Sequence, residues 1–120
     1  INHPDHRAAS QAAIDAVFPA VGQPLLYPDL AAEGFLPFKP RKVYVSVWDK
    51  PNHYVDISET IELKIAMLKE HKSQLKDWDP GEMLRQWAAE SAKDQGMQYA
   101  ESFRVFTQVS DEEWEKGSEA

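Results

Sequence analysis

Asn2-His3-Pro4-Asp5-His6 sets two imidazoles and a carboxylate within four successive positions. Neutral imidazole ligates divalent metals and imidazolium donates protons, so the segment holds the groups that metal-assisted hydrolysis uses. His3 and His6 stand three apart at a helix start, a spacing that lets both point towards one site. The positive end of the helix dipole favours the neutral, ligating form of an imidazole. Asp5 works the other way, because a nearby carboxylate stabilises a protonated histidine. One histidine can thus be a ligand and the other a proton donor. The same residues can also do no more than cap the helix, and two imidazoles fall short of the protein-ligand set usual at a catalytic zinc.

These groups need an element to hold them. His3 or Asn2 can cap a helix whose first turn takes Pro4, with Asp5 near its positive end. The spacing predicts a helix through Val17 that stops near Pro19, with Ala9, Ala13, Ile14 and Val17 as its apolar stripe. Residues 19–42 hold Pro19, Pro24, Pro28, Pro37, Pro40, Gly22 and Gly34, which predicts a stiff irregular loop. It carries Leu25, Leu26, Tyr27, Phe35, Leu36 and Phe38, so it reads equally as a cover over a substrate or as a meander packed on itself.

Lys42–Trp48 is the clearest strand, rich in valine and aromatics. Asp49-Lys50-Pro51-Asn52 is a turn and His53–Ile57 a second strand. Ser58 is expected to cap a helix from Glu59 to about Leu75, with Ile61, Ile65, Leu68 and Leu75 on one face. Asp79-Pro80-Gly81-Glu82 predicts a capping box and a helix to about Gln95, with Met83, Leu84, Trp87 and Ala88 inward and Gly96 as its C-cap. Phe103–Thr107 is a last short strand. Few strands are present for a self-sufficient sheet, and active-site groups in α/β proteins usually follow a strand. The chain is therefore expected to be the later part of something larger, completed by an upstream half with the central parallel strands.

Composition narrows the classes. The hydrophobic fraction of 42% suits a packed core. A net charge of −7 argues against nucleic acid, which wants a basic face. Residues 110–120 hold five acidic residues and one lysine, an acidic tail by composition. With no cysteine, a metal must be held by imidazole and carboxylate. No apolar run approaches a membrane span, so no membrane partner is expected. Absence of cysteine suits a cytoplasmic location.

Asn2-His3-Pro4-Asp5-His6-Arg7-Ala8-Ala9, leading into an alanine-rich helix, resembles the second motif of the LmbE-like (PIG-L) zinc deacetylases. Tyr54-Val55-Asp56-Ile57-Ser58 and Lys64-Ile65-Ala66, with Leu68, His71, Ser73 and Gln74, resemble the family's following strand and helix. Ala100-Glu101-Ser102-Phe103-Arg104 resembles its closing Ala-Glu-x-Phe segment. The likeness spans residues 2 to about 107.

The resemblance implies an α/β fold: the C-terminal part of a Rossmann-like, three-layer LmbE-type domain, incomplete without an N-terminal half. Residues 1–109 would be that half-domain and residues 110–120 the acidic tail. It implies Zn2+, or another divalent metal, with His6 as a ligand. His3 would stabilise the oxyanion and protonate the leaving amine, and Asp5 would orient and charge His3. The family's first motif, His-Pro-Asp-Asp, carries the other ligands and the base, and is absent from this sequence. The expected activity is amide hydrolysis of an N-acetylglucosamine-type sugar or glycoconjugate, and relatives allow a homo-oligomer. A non-enzymatic carbohydrate-binding or interaction module of the same fold is the alternative. Further expectations are a hydrogen-bonded core role for His71, a salt bridge in preference to a substrate contact for Glu101 and for Arg104, and core or interface positions in preference to a sugar platform for Trp48, Trp78 and Trp87.

Overall fold

Between Ile57 and Ala92 the apolar side chains find one another; before Phe38 they do not, and this divides the chain. In the computed structural model the described residues are 2–47 and 49–118, without the side chain of Ser118. They form two compact units, one of residues 44–106 and one of residues 1–43 with 107–120.

The sheet is formed by β1 (Lys42–Ser46), β2 (His53–Asp56) and β3 (Ala100–Thr107), in the order β1-β3-β2. The last strand in sequence is thus the central one. β3 begins at Ala100, three residues before the start expected from its aromatics. Ala100, Glu101 and Ser102 have little strand preference of their own. Antiparallel pairing with Asp56, Val55 and Tyr54 supplies what they lack. Asn52 extends the ladder, donating from its side chain to the Val105 carbonyl (3.1 Å) and accepting from the Val105 N–H (2.7 Å). Tyr44 meets both His53 and Phe103 edge-on, at 5.4 and 5.7 Å between centroids, which ties the three strands together. Trp48, expected in β1, lies outside the described residues.

Helices α3 (Ile61–Lys69), α4 (Lys72–Leu75) and α5 (Gly81–Ala92) complete this unit. Ile61 and Ile65 lie one turn apart and bury against Ile57, Leu84 and Ala88, with Leu68, Met83 and Tyr99 packed around them. The single helix expected over 59–75 is two, broken at Glu70-His71. Ser58 does not cap it. The Asp56 carboxylate, two residues back, takes both the N–H (2.9 Å) and the hydroxyl (2.5 Å) of Ser58. The Ser58 hydroxyl in turn accepts the Tyr99 N–H at 3.1 Å. At the start of α5, Asp79 accepts the Gly81 N–H at 2.8 Å and the Lys69 ammonium at 2.8 Å. The helix ends at Ala92 and Lys93 is its cap. Gly96, expected as that cap, sits later in the turn with a φ of 72°. Trp87 is exposed rather than inward, and Trp78 is exposed rather than in the core.

The other unit starts with α1 (Pro4–Val17), bounded as its prolines predict. None of its residues is buried. The loop after it contains a short 3-10 turn (Ala20–Gly22) and α2 (Pro28–Ala32). Gly34 closes α2 at a φ of +94°, with its own N–H on the Ala31 carbonyl (3.1 Å) and the Phe35 N–H on the Leu30 carbonyl (3.0 Å). That closure requires a left-handed residue, and glycine adopts it without strain. The acidic segment is helical over its described residues 111–118. It forms α6 (Asp111–Ser118), started by a reciprocal cap in which Ser110 donates to Glu113 and accepts its N–H. Asp111 is held by Arg41 and by Lys42, the latter at 3.0 Å, and the Arg41 guanidinium lies 5.6 Å from the Trp114 ring centroid.

Two outcomes follow from this packing. Ile65→Ala opens a cavity in the core and is expected to destabilise residues 44–106 by about 2–5 kcal/mol in denaturant unfolding; a change within about 0.5 kcal/mol contradicts the assigned core. The second concerns acid. Hydrogen bonds from Lys42 and Arg41 hold the Asp111 carboxyl below its ordinary 3.8. A group depressed in the folded state stabilises it above the ordinary value, and this is lost as pH falls through the folded value. Helix α6 is therefore expected to stay anchored at neutral pH and to loosen below about pH 4. Asp111→Asn should remove that acid step from the circular dichroism titration; identical acid profiles contradict the anchor.

Candidate active site

Pro4 sets the site's geometry. A residue before proline is driven to extended backbone, and His3 adopts φ −51°, ψ 144° as the N-cap of α1. Pro4 has no N–H, so the first free amide of the helix belongs to Asp5. His3 takes it: the Asp5 N–H donates to His3 Nδ1 at 3.2 Å. An imidazole does here what a serine or aspartate usually does. Around it, Arg7 donates through its amide to the His3 carbonyl (3.2 Å) and through its guanidinium to the Asn2 carbonyl (2.6 Å). His6 completes the same turn, its ring centroid 6.0 Å from that of His3 at an interplanar angle of 56°. The three predicted groups therefore share one helical turn.

The Asp5 carboxylate lies 3.6 Å from the same His3 Nδ1. An amide donor and an ion pair make opposite demands on that nitrogen. The amide contact has hydrogen-bond geometry and 3.6 Å exceeds it, so Nδ1 is the acceptor and the neutral ring carries its proton on Nε2. When His3 takes a second proton at Nδ1, the amide bond is surrendered and Asp5 is beside the new charge. The side chains are 65% and 87% exposed, and an ion pair so solvated contributes little on its own.

Among the described residues, no group of three or more histidine, aspartate or glutamate side chains is placed to hold a metal. His6 offers one imidazole corner of such a site and no more. His53 packs against Tyr44. His71 is exposed at the start of α4 and makes no capping bond, so the expected core histidine is not found. The 19–42 loop leaves from the far end of α1, a helix of 14 residues, or about 21 Å from His3.

Other contacts were only partly legible. Glu101 makes the expected salt bridge, with Lys64 of α3. Arg104 makes none among the described residues, donating instead to the Lys50 carbonyl at 3.0 Å. The Asp56–Ser58–Tyr99 network went unread, although an aspartate two residues before a serine is an Asx-turn signal. Hydrogen bonds from Ser58 hold the Asp56 carboxyl below its ordinary value.

No family model matches the chain. The sequence is 36% identical over 107 residues to the diacetylchitobiose deacetylase of Thermococcus kodakarensis, covering 85% of this chain and 39% of that protein. The N,N'-diacetylchitobiose deacetylase of Pyrococcus horikoshii, solved with its inhibitor MPG, matches with a TM-score of 0.75 and 31% identity. That match covers 88% of this chain and 41% of the other. The chain is homologous to the diacetylchitobiose deacetylases of the LmbE family. It spans about two fifths of the length of both relatives. The homology bears out the resemblance to that family and the mixed α/β class, and it implies metal dependence in the family. No helix of the described residues is long and apolar enough to cross a membrane.

The N-cap geometry has a direct readout. In neutral His3 the proton is expected on Nε2, seen as an unprotonated Nδ1 in nitrogen-15 NMR of the imidazole; a proton on Nδ1 contradicts the cap.

Proposed function

We propose that this chain is part of a zinc-dependent N-deacetylase that hydrolyses the acetamido group of an N-acetylglucosamine-type sugar. Supporting it is one coincidence: homology to diacetylchitobiose deacetylases in a chain whose first helical turn presents His3, Asp5 and His6 together. The remaining ligands and the base belong to an N-terminal half carrying His-Pro-Asp-Asp, on the same or a separate chain. In this reading residues 1–109 are the C-terminal part of a Rossmann-like, three-layer domain, and residues 110–120 follow it. The protein works in the cytoplasm, and copies of it can assemble.

The donor chemistry fits one corner of a zinc site, since His6 is an imidazole with an exposed ring. A bound zinc ion polarises the amide and activates water. The chain's own residues do the rest. His3 lies with Nδ1 towards Asp5 and leaves Nε2 without a partner among the described residues. As imidazolium it donates from Nε2 to the oxygen of the tetrahedral centre, where one such donor is worth roughly 10²–10³ in rate. It then passes that proton to the departing amine nitrogen, leaving the remaining proton on Nδ1 beside Asp5. Asp5 stabilises the charge on His3 only when substrate and the upstream half exclude water, because in solvent the pair is weak.

Acetate release from N,N'-diacetylchitobiose by the complete protein tests this. His3→Ala is expected to lower kcat by roughly 10²–10⁴ with little change in KM. Asp5→Asn should lower kcat by about 10- to 100-fold, because a neutral amide no longer stabilises the charge on the His3 imidazolium. Full activity in both variants sinks the assignment. An inactive parent that still binds the sugar selects the carbohydrate-binding module.

A further inference from the structure

Residues 44–106 enclose a concavity of about 390 Å³ that the proposed chemistry does not use. Its floor includes Leu84 and Ala88 of α5 and Ala100 of β3, all buried and apolar. Trp87, next to Ala88 on the same helix, lines it and is 47% exposed. Lys64 and Glu101 form one wall, paired with each other and 41% and 36% exposed. Ser91, one turn beyond Trp87, adds a hydroxyl with no partner among the described residues. Ser102 is already spent, donating to the Val47 carbonyl at 2.9 Å.

Each kind of ligand makes different demands on these groups. A peptide strand would need a free sheet edge, yet the strand beneath is β3, paired on both sides. A phosphate would need unbalanced positive charge, but the one cation here is matched by Glu101. A neutral pyranose meets no such obstacle. Its C–H face is apolar and lies on an indole, and its hydroxyl and acetamido groups exchange hydrogen bonds with carboxylate, ammonium and serine. The ion pair offers donor and acceptor together, and the volume falls within the range of small-ligand pockets.

We propose that this concavity is a saccharide subsite for a neutral N-acetylhexosamine unit, with Trp87 as the stacking face and Glu101, Lys64 and Ser91 as the polar contacts. The choice of sugar rests on the deacetylase reading; the site itself rests on these side chains. Amide and indole NMR shifts of the chain, titrated with N,N'-diacetylchitobiose, test it. Saturable shifts are expected at the Trp87 indole N–H and at the amides of Ala88 and Ser91. Trp87→Leu should weaken binding about tenfold, and Glu101→Gln and Ser91→Ala should weaken it severalfold. If Trp87→Leu fails to fold, as its spectrum will show, the exposed-side variants Glu101→Gln and Ser91→Ala decide. Shifts confined to His3 and His6, no saturable shift, or unchanged affinity in the folded variants overturns the subsite. The deacetylase reading is judged separately: activity of the complete protein without these shifts removes the subsite alone, and the shifts without activity leave the subsite and remove the deacetylase.

Discussion

The proline at position 4 governs what the N-terminal segment can do. Its ring removes one amide and forces the residue before it into extended backbone. His3 must then stand at the cap, and the nearest amide without a helical partner is that of Asp5. One covalent constraint thereby orients Nδ1 inward and frees Nε2. It also fixes which side of the ring meets the Asp5 carboxylate, and it places His6 one turn away. With another residue at position 4, the imidazole would compete with a second free amide and its orientation would no longer be determined.

Burial is divided unequally between the two units. Ile57, Ile61, Ile65, Leu84 and Ala88 make a core within residues 44–106. Before Val43 there is no buried residue among those described, and Ile14, Phe18, Leu25, Phe35 and Leu36 are all exposed. What orders that part of the chain is polar and backbone bonding rather than burial: the His3 cap, the closure at Gly34, and the grip of Arg41 and Lys42 on Asp111. Such contacts are individually worth little in water. A site carried on α1 gains rigidity and a low dielectric only when its apolar stripe is covered, and both conditions matter to His3 and Asp5.

How much was legible followed from how local each cause is. Pro4 and Pro19 mark both ends of α1, and the valines and aromatics of β1 declare a strand. The chemistry-bearing residues were legible because they are adjacent in sequence. The start of β3 was not, because Ala100 and Glu101 become strand only through β2. The break between α3 and α4, and the failure of Ser58 to cap, were hidden for a similar reason: the carboxylate of Asp56 competes successfully for Ser58. The Lys64–Glu101 pair joins positions 37 apart and could not be read from spacing. His71 was expected within one continuous helix packed on the core, whereas the helix breaks there and leaves it exposed before α4.

The central claim is that the first turn of α1 is one side of a metal centre. Zinc stoichiometry of the complete protein, in parent, His6→Ala and His3→Ala forms, addresses it most directly. The account predicts about one zinc per chain in the parent and in His3→Ala, with a loss of roughly 10-fold or more in zinc affinity for His6→Ala. Undiminished zinc binding in folded His6→Ala protein would contradict it.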